Sequence, residues 1–203
     1  MTTAKPLLLA DGASAQTLME ALEEAWRSGR SVGLADPADR QALTAAIGSG
    51  AALAPWTPAV VLGSGGSSGG RRWCVQPLAH LRASADATAI WLGDQGLDPA
   101  TCLHLDPLPL HHVSGLLPLV RCRHWGAELR LLPPAWLRDP ALLATACPLP
   151  AEKPVLVSLV PTQLGRLMAH PEGLAWLRSC RVIWVGGAAL SPRLAEQIGR
   201  AHV

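Results

Sequence analysis

The segment Ser64-Gly65-Gly66-Ser67-Ser68-Gly69-Gly70-Arg71-Arg72 concentrates residue types suited to holding an anion. Glycines adopt left-handed conformations cheaply and have no Cβ, so successive backbone N–H groups can converge on one negative group. Serine hydroxyls add donors, and a guanidinium adds charge that matches phosphate oxygens. A phosphate cradle is the functional expectation, and a plain Gly/Ser surface loop is the alternative that composition leaves open. A Walker A loop is disfavoured. Gly65 and Gly70 have its separation, but Arg71 and Arg72 stand where Lys and Ser/Thr belong, and Trp73-Cys74-Val75 reads as a strand where a helix must start. A dinucleotide fingerprint fails on the same topology.

Four other groups could do chemistry. His111-His112 lies in Leu108-Pro109-Leu110-His111-His112-Val113-Ser114-Gly115; such a pair is more often a surface or capped core feature than a ligand set. Cys122 and His124 are two apart, but no further ligands complete a metal site, and none is expected. Pro161-Thr162-Gln163 has the form of a helix start. Gly186-Gly187-Ala188 follows an apolar run, where glycines suit either a ligand crevice or a tight strand-to-helix turn.

These groups need elements to position them. Leu18, Met19, Leu22, Ala25 and Trp26 keep helical spacing over 17–28, with a Thr17/Glu20 capping box and Gly29 as stop. Asp36-Pro37 opens a second helix reaching Ile47. Ala59-Val60-Val61-Leu62 predicts a buried strand, Trp73 and Val75 a brief strand, and Leu78, Leu81, Ala85 and Ala89 a helix. Leu103 and Leu105 mark another strand edge. His112 to Trp125 reads as a helix that Pro118 must either begin or bend. A strand over 128–132, a helix over 140–146 and strands over 155–160 and 181–185 follow, and Ser191-Pro192 opens a last helix. The alternation implies an α/β fold with a mostly parallel sheet flanked by helices, built on one globular core.

With these blocks in place, the chain resembles the acyl-adenylate-forming, AMP-dependent synthetase and ligase superfamily. Residues 64–72 match its phosphate loop, T-S-G-T-T-G-x-P-K, with Ser67-Ser68 at the hydroxyl pair, Arg72 replacing lysine, Gly65 replacing a hydroxyl residue and Arg71 replacing proline. Leu108 to Gly115 resembles the L-P-L-F-H-x-x-G block with His111 in the aromatic position. Ser158-Leu159-Val160-Pro161-Thr162-Gln163-Leu164 resembles the V-P-T-x-L block, and Val182 to Ser191 the G-G-A segment. Within the superfamily the blocks look most like 2-succinylbenzoate:CoA ligases of menaquinone or phylloquinone synthesis, of the cyanobacterial type.

The resemblance implies the N-terminal part of the AMP-binding ligase fold and an acid:CoA ligase using ATP with Mg²⁺ and coenzyme A. It assigns Ser64, Gly65, Gly66, Ser67, Ser68, Gly69 and Arg72 to the ATP phosphates. His112, Ser114, Thr162 and Gln163 go to the acyl substrate, with His112 beside the acyl pocket at a helix start, and Gly186, Gly187 and Ala188 to the adenylate. Family members continue through a Y-G-x-T-E block, a ribose-binding aspartate and a C-terminal domain with a lysine, none of which occurs here. A noncatalytic nucleotide- or acyl-binding module and a fatty-acyl or amino-acid-activating ligase are the alternatives. Residues 1–197 are therefore expected to be part of an AMP-binding domain that alone is inactive. Ile198-Gly199-Arg200-Ala201-His202-Val203 is what a common sequencing adapter, ATC GGA AGA GCA CAC GTC, encodes, so 198–203 are expected to be a non-native tail.

Composition removes other classes. Lys+Arg 17 against Asp+Glu 15 gives +2, too little for a nucleic-acid role, and Phe 0 with Tyr 0 removes their stacking platforms. Cys74, Cys102, Cys122, Cys147 and Cys180 are odd in number with no C-x-x-C pair, which opposes a disulfide framework or zinc knuckle and fits a reducing cytoplasm. The run Leu7-Leu8-Leu9-Ala10 is too short for a signal peptide, and no stretch is long enough for a membrane span. The expected partners are a small carboxylic acid, ATP and coenzyme A; the oligomeric state is open.

Overall fold

Short apolar strands alternating with amphipathic helices send the chain into two four-stranded sheets. The computed structural model describes residues 7–8, 15–48, 51–64 and 72–198. The elements in chain order are β1 (Leu7–Leu8), α1 (Ala15–Arg27), β2 (Val32–Leu34), α2 (Arg40–Ile47), β3 (Ala59–Ser64), β4 (Arg72–Pro77), α3 (Leu78–Asp94) and β5 (Leu103–Asp106). They continue with α4 (Val113–Trp125), β6 (Glu128–Leu131), α5 (Pro140–Ala146), β7 (Val155–Leu159), α6 (Pro161–Met168), α7 (Pro171–Arg178), β8 (Val182–Val185) and α8 (Pro192–Ile198). The fold is α/β with a parallel sheet flanked by helices, as expected. The single core is not: the chain divides into two compact units, Met1–Ala87 with Pro109–Arg121 and Thr88–Leu108 with Cys122–Val203. Each sheet packs against its own apolar residues.

In the first unit the strand order is β1-β2-β3-β4. β1 and β2 pair parallel, β2 and β3 pair parallel, and β4 returns antiparallel to β3 from Ala59↔Pro77 to Ser64↔Arg72. Buried Leu43, Ile47, Leu53 and Val61 pack with Trp73 and Val75 of β4. Buried Ser31 fixes the start of β3, its Oγ accepting the Ala59 N–H at 3.1 Å and lying 3.3 Å from Thr57 Oγ1. α1 is helical from Ala15, ahead of Thr17, so the expected Thr17/Glu20 capping box does not start it, and Gln16 Nε2 donates to Glu20 Oε1 at 2.7 Å along it. Asp36 Oδ1 does cap, accepting the Ala38 N–H at 2.9 Å, and a 3₁₀ turn precedes α2. Gly29 ends α1 with φ +65°, a conformation glycine adopts without strain.

In the second unit the order is β6-β5-β7-β8, all parallel. Because strand side chains alternate, Leu103, Leu105, Val155, Val157 and Leu159 bury on one face against Leu164, Leu167, Trp176 and Leu177 of α6 and α7. Leu156, Val182 and Trp184 cover the other face with Leu92, Leu97 and Trp125. Helix α5 has its predicted bounds, and Asp139 Oδ1 caps it through the Leu142 N–H at 3.0 Å. Pro118 lies inside α4 rather than at its start, which removes the donor that would reach the Ser114 carbonyl. Helix α7 has no counterpart in the sequence reading. It follows α6 after His170 and is admitted by Gly173, where a Cβ would stand 2.3 Å from the Leu167 carbonyl oxygen. Among the described residues, no helix is long and apolar enough to cross a membrane.

Gly173→Ala therefore forces α7 off the end of α6. The expected result is a loss of about 2 kcal/mol or more in urea unfolding of the second unit, as for an overpacked core; an unchanged midpoint would contradict this packing.

Candidate functional site

The glycine- and serine-rich segment is strung between two antiparallel strands. Ser64 closes β3 and Arg72 opens β4; the two are register partners, and Ser64 Oγ donates to the Arg72 carbonyl at 3.2 Å. Gly65, Gly66, Ser67, Ser68 and Gly69 lie outside the described residues, as do Gly70 and Arg71. A strand follows the segment where Walker A and dinucleotide loops require a helix, so both alternatives set aside on sequence fail on topology too.

In the same unit the chain approaches α4 through successive turns. The His112 N–H donates to the Pro109 carbonyl at 3.0 Å, and the His112 carbonyl accepts the N–H groups of Gly115 at 3.1 Å and Leu116 at 2.9 Å. His112 is thus the residue from which α4 departs. Its ring lies 4.5 Å from that of His111, centroid to centroid, and both side chains are half-buried. Ser114 is half-buried in the first turn.

The second unit brings the remaining candidates to one corner at the carboxyl ends of β7 and β8. The Gly186 N–H donates to the Leu159 carbonyl at 3.1 Å, extending the β7–β8 pairing one step beyond β8. Gly187 then turns with φ +82°, and a Cβ there would sit 3.4 Å from Val160 Cγ1. On the neighbouring strand, the Val160 N–H donates to Gln163 Oε1 at 3.0 Å, which satisfies a backbone group at the start of α6. Thr162, Gly186, Gly187 and Ala188 are exposed and Gln163 is half-buried. Thr162, Gln163, Gly186, Gly187 and Ala188 therefore share one corner, whereas Ser64, Arg72, His112 and Ser114 belong to the first unit. The corner is where parallel sheets place ligands.

Asp106 escaped the sequence reading. It ends β5 at 1% exposure, its Oδ1 accepts the Leu108 N–H at 2.9 Å, and its Oδ2 is buried with no hydrogen-bond partner among the described residues. Burial raises its carboxyl to about 7, against the opposing pull of the Leu108 N–H. The signal was available: His104 and Asp106 alternate with Leu103 and Leu105, so a polar pair had to face one side of that strand. Thiol chemistry has little support. Burial pushes Cys180 up to about 12, with the nearby Cys147 adding to the rise, and raises Cys102 as well. Among the described residues no three His, Cys, Asp or Glu side chains cluster as metal ligands.

A family model described as "AMP-binding enzyme" matches residues 5–202. No curated protein matches the chain. Among solved structures, a malonyl-CoA ligase with methylmalonyl-CoA and AMP bound aligns at TM-score 0.67 and 20% identity, over 96% of this chain and 48% of the other. The o-succinylbenzoate CoA synthetase of Bacillus subtilis with its acyl-adenylate intermediate OSB-AMP aligns at TM-score 0.53 and 25% identity, over 68% and 26%. An acyl-CoA synthetase/AMP-acid ligase II-like protein from Dyadobacter fermentans aligns at TM-score 0.54 and 28% identity, over 68% and 36%. The chain thus spans between about a quarter and a half of the length of these structures.

Two outcomes follow from the geometry. Asp106 binds its proton more tightly folded than unfolded, so its contribution opposes folding increasingly as pH rises from the unfolded carboxylate range to about 7 and is constant above. Stability should fall by at most about 4 kcal/mol across that window, and Asp106→Asn, which keeps the Oδ1 acceptor, should flatten the dependence in denaturant titrations. Gly187→Ala places a side chain at positive φ and should cost about 1 kcal/mol, read from the same titrations.

Proposed function

The chain belongs to the AMP-binding enzyme family, and we propose that it is the N-terminal part of an AMP-forming acid:CoA ligase whose acid is 2-succinylbenzoate, placing it in menaquinone or phylloquinone synthesis. In this reading a carboxylate attacks the α-phosphorus of ATP, giving an acyl-adenylate and pyrophosphate, and the thiol of coenzyme A then displaces AMP. Negative charge grows on phosphate oxygens in the first step, and preoriented donors and cations lower that barrier more than covalent chemistry does.

The observation that carries the proposal is the β3–β4 hairpin. It pairs Ser64 with Arg72, the two residues that flank Gly65-Gly66-Ser67-Ser68-Gly69-Gly70-Arg71 in the sequence. Ser64, Gly65, Gly66, Ser67, Ser68, Gly69 and Arg72 would hold the ATP phosphates. Mg²⁺ would enter with ATP and screen its charge. By the resemblance, His112, Ser114, Thr162 and Gln163 would be assigned to the acyl substrate, and Gly186, Gly187 and Ala188 to the adenylate. The blocks Ser158 to Leu164 and Gly186 to Ala189 support 2-succinylbenzoate among acids.

Titration of the chain with ATP in the presence of magnesium should give saturable binding, and absence of binding would reject the proposal. In a polypeptide whose frame continues past Gln197 into Y-G-x-T-E, pyrophosphate release should be greatest with 2-succinylbenzoate among fatty, amino and aromatic acids. Replacing Ser67 and Ser68 together with alanine should lower that release at least about tenfold while leaving the circular dichroism spectrum unchanged.

A further inference from the structure

We draw no further inference here: the strongest candidate, the cleft of about 420 Å³ at the outer strand β8, lined by Trp91 of α3, Trp184 of β8, Arg178 of α7 and Arg181, carries nothing because nothing in the structure shows what covers it.

Discussion

The Gly186 N–H to Leu159 carbonyl bond is the contact on which the corner depends. Parallel strands hold each other through evenly spaced, slanted bonds, and this one continues the β7–β8 ladder after β8 has ended. Because it is made, Gly187 turns over Val160 instead of continuing outward, and Val160 is the residue whose amide is held by Gln163. Side chains with bulk at Gly187 would meet both an unfavourable φ and Val160 Cγ1. A strand end, a glycine turn and a helix start are thus tied through neighbouring backbone groups.

The unit that contains this corner also shows how unevenly buried polarity is satisfied in the molecule. In the other unit, Ser31 at 2% exposure has the Ala59 N–H and the Thr57 hydroxyl as neighbours, and it anchors the start of β3. Asp106 is as deeply buried, yet only one of its carboxylate oxygens has a partner among the described residues. A group that costs stability and is not fully paired conflicts with the otherwise consistent pattern of apolar strands and capped helices. It ends the central strand of a parallel sheet, at the same edge as the corner residues.

Much of this was legible in the amino-acid sequence, for reasons that differ by element. β3, β7 and β8 are short β-branched runs bounded by Gly or Pro, and buried parallel strands read as such runs. α5 was legible at both ends because Asp139-Pro140 is a strong start signal and Cys147 precedes Pro148. Helix α7 was hidden by its brevity and by its tight contact with α6, a tertiary fact carried by one glycine. The Thr17/Glu20 box misled because a local signal for a helix start competed with an apolar stripe that tolerates two further residues. The division into two cores is a matter of which strands pair, and strand pairing leaves no mark in local periodicity. Of the candidate site, residue types and the helix start after His112 were visible. That Gln163 spends its oxygen on Val160 was not, since only the fold sets those atoms side by side.

β8 is made of Val182, Ile183, Trp184 and Val185, the composition of a strand enclosed on every side, yet all four residues are only half-buried and β8 ends the sheet order. Among the described residues no strand pairs with its far side, and an outer strand of that composition is a template for any extended polypeptide that reaches it. Self-association through this strand is the hazard that such a margin carries, and a charged residue on its outward side is the remedy that proteins with exposed sheet margins use.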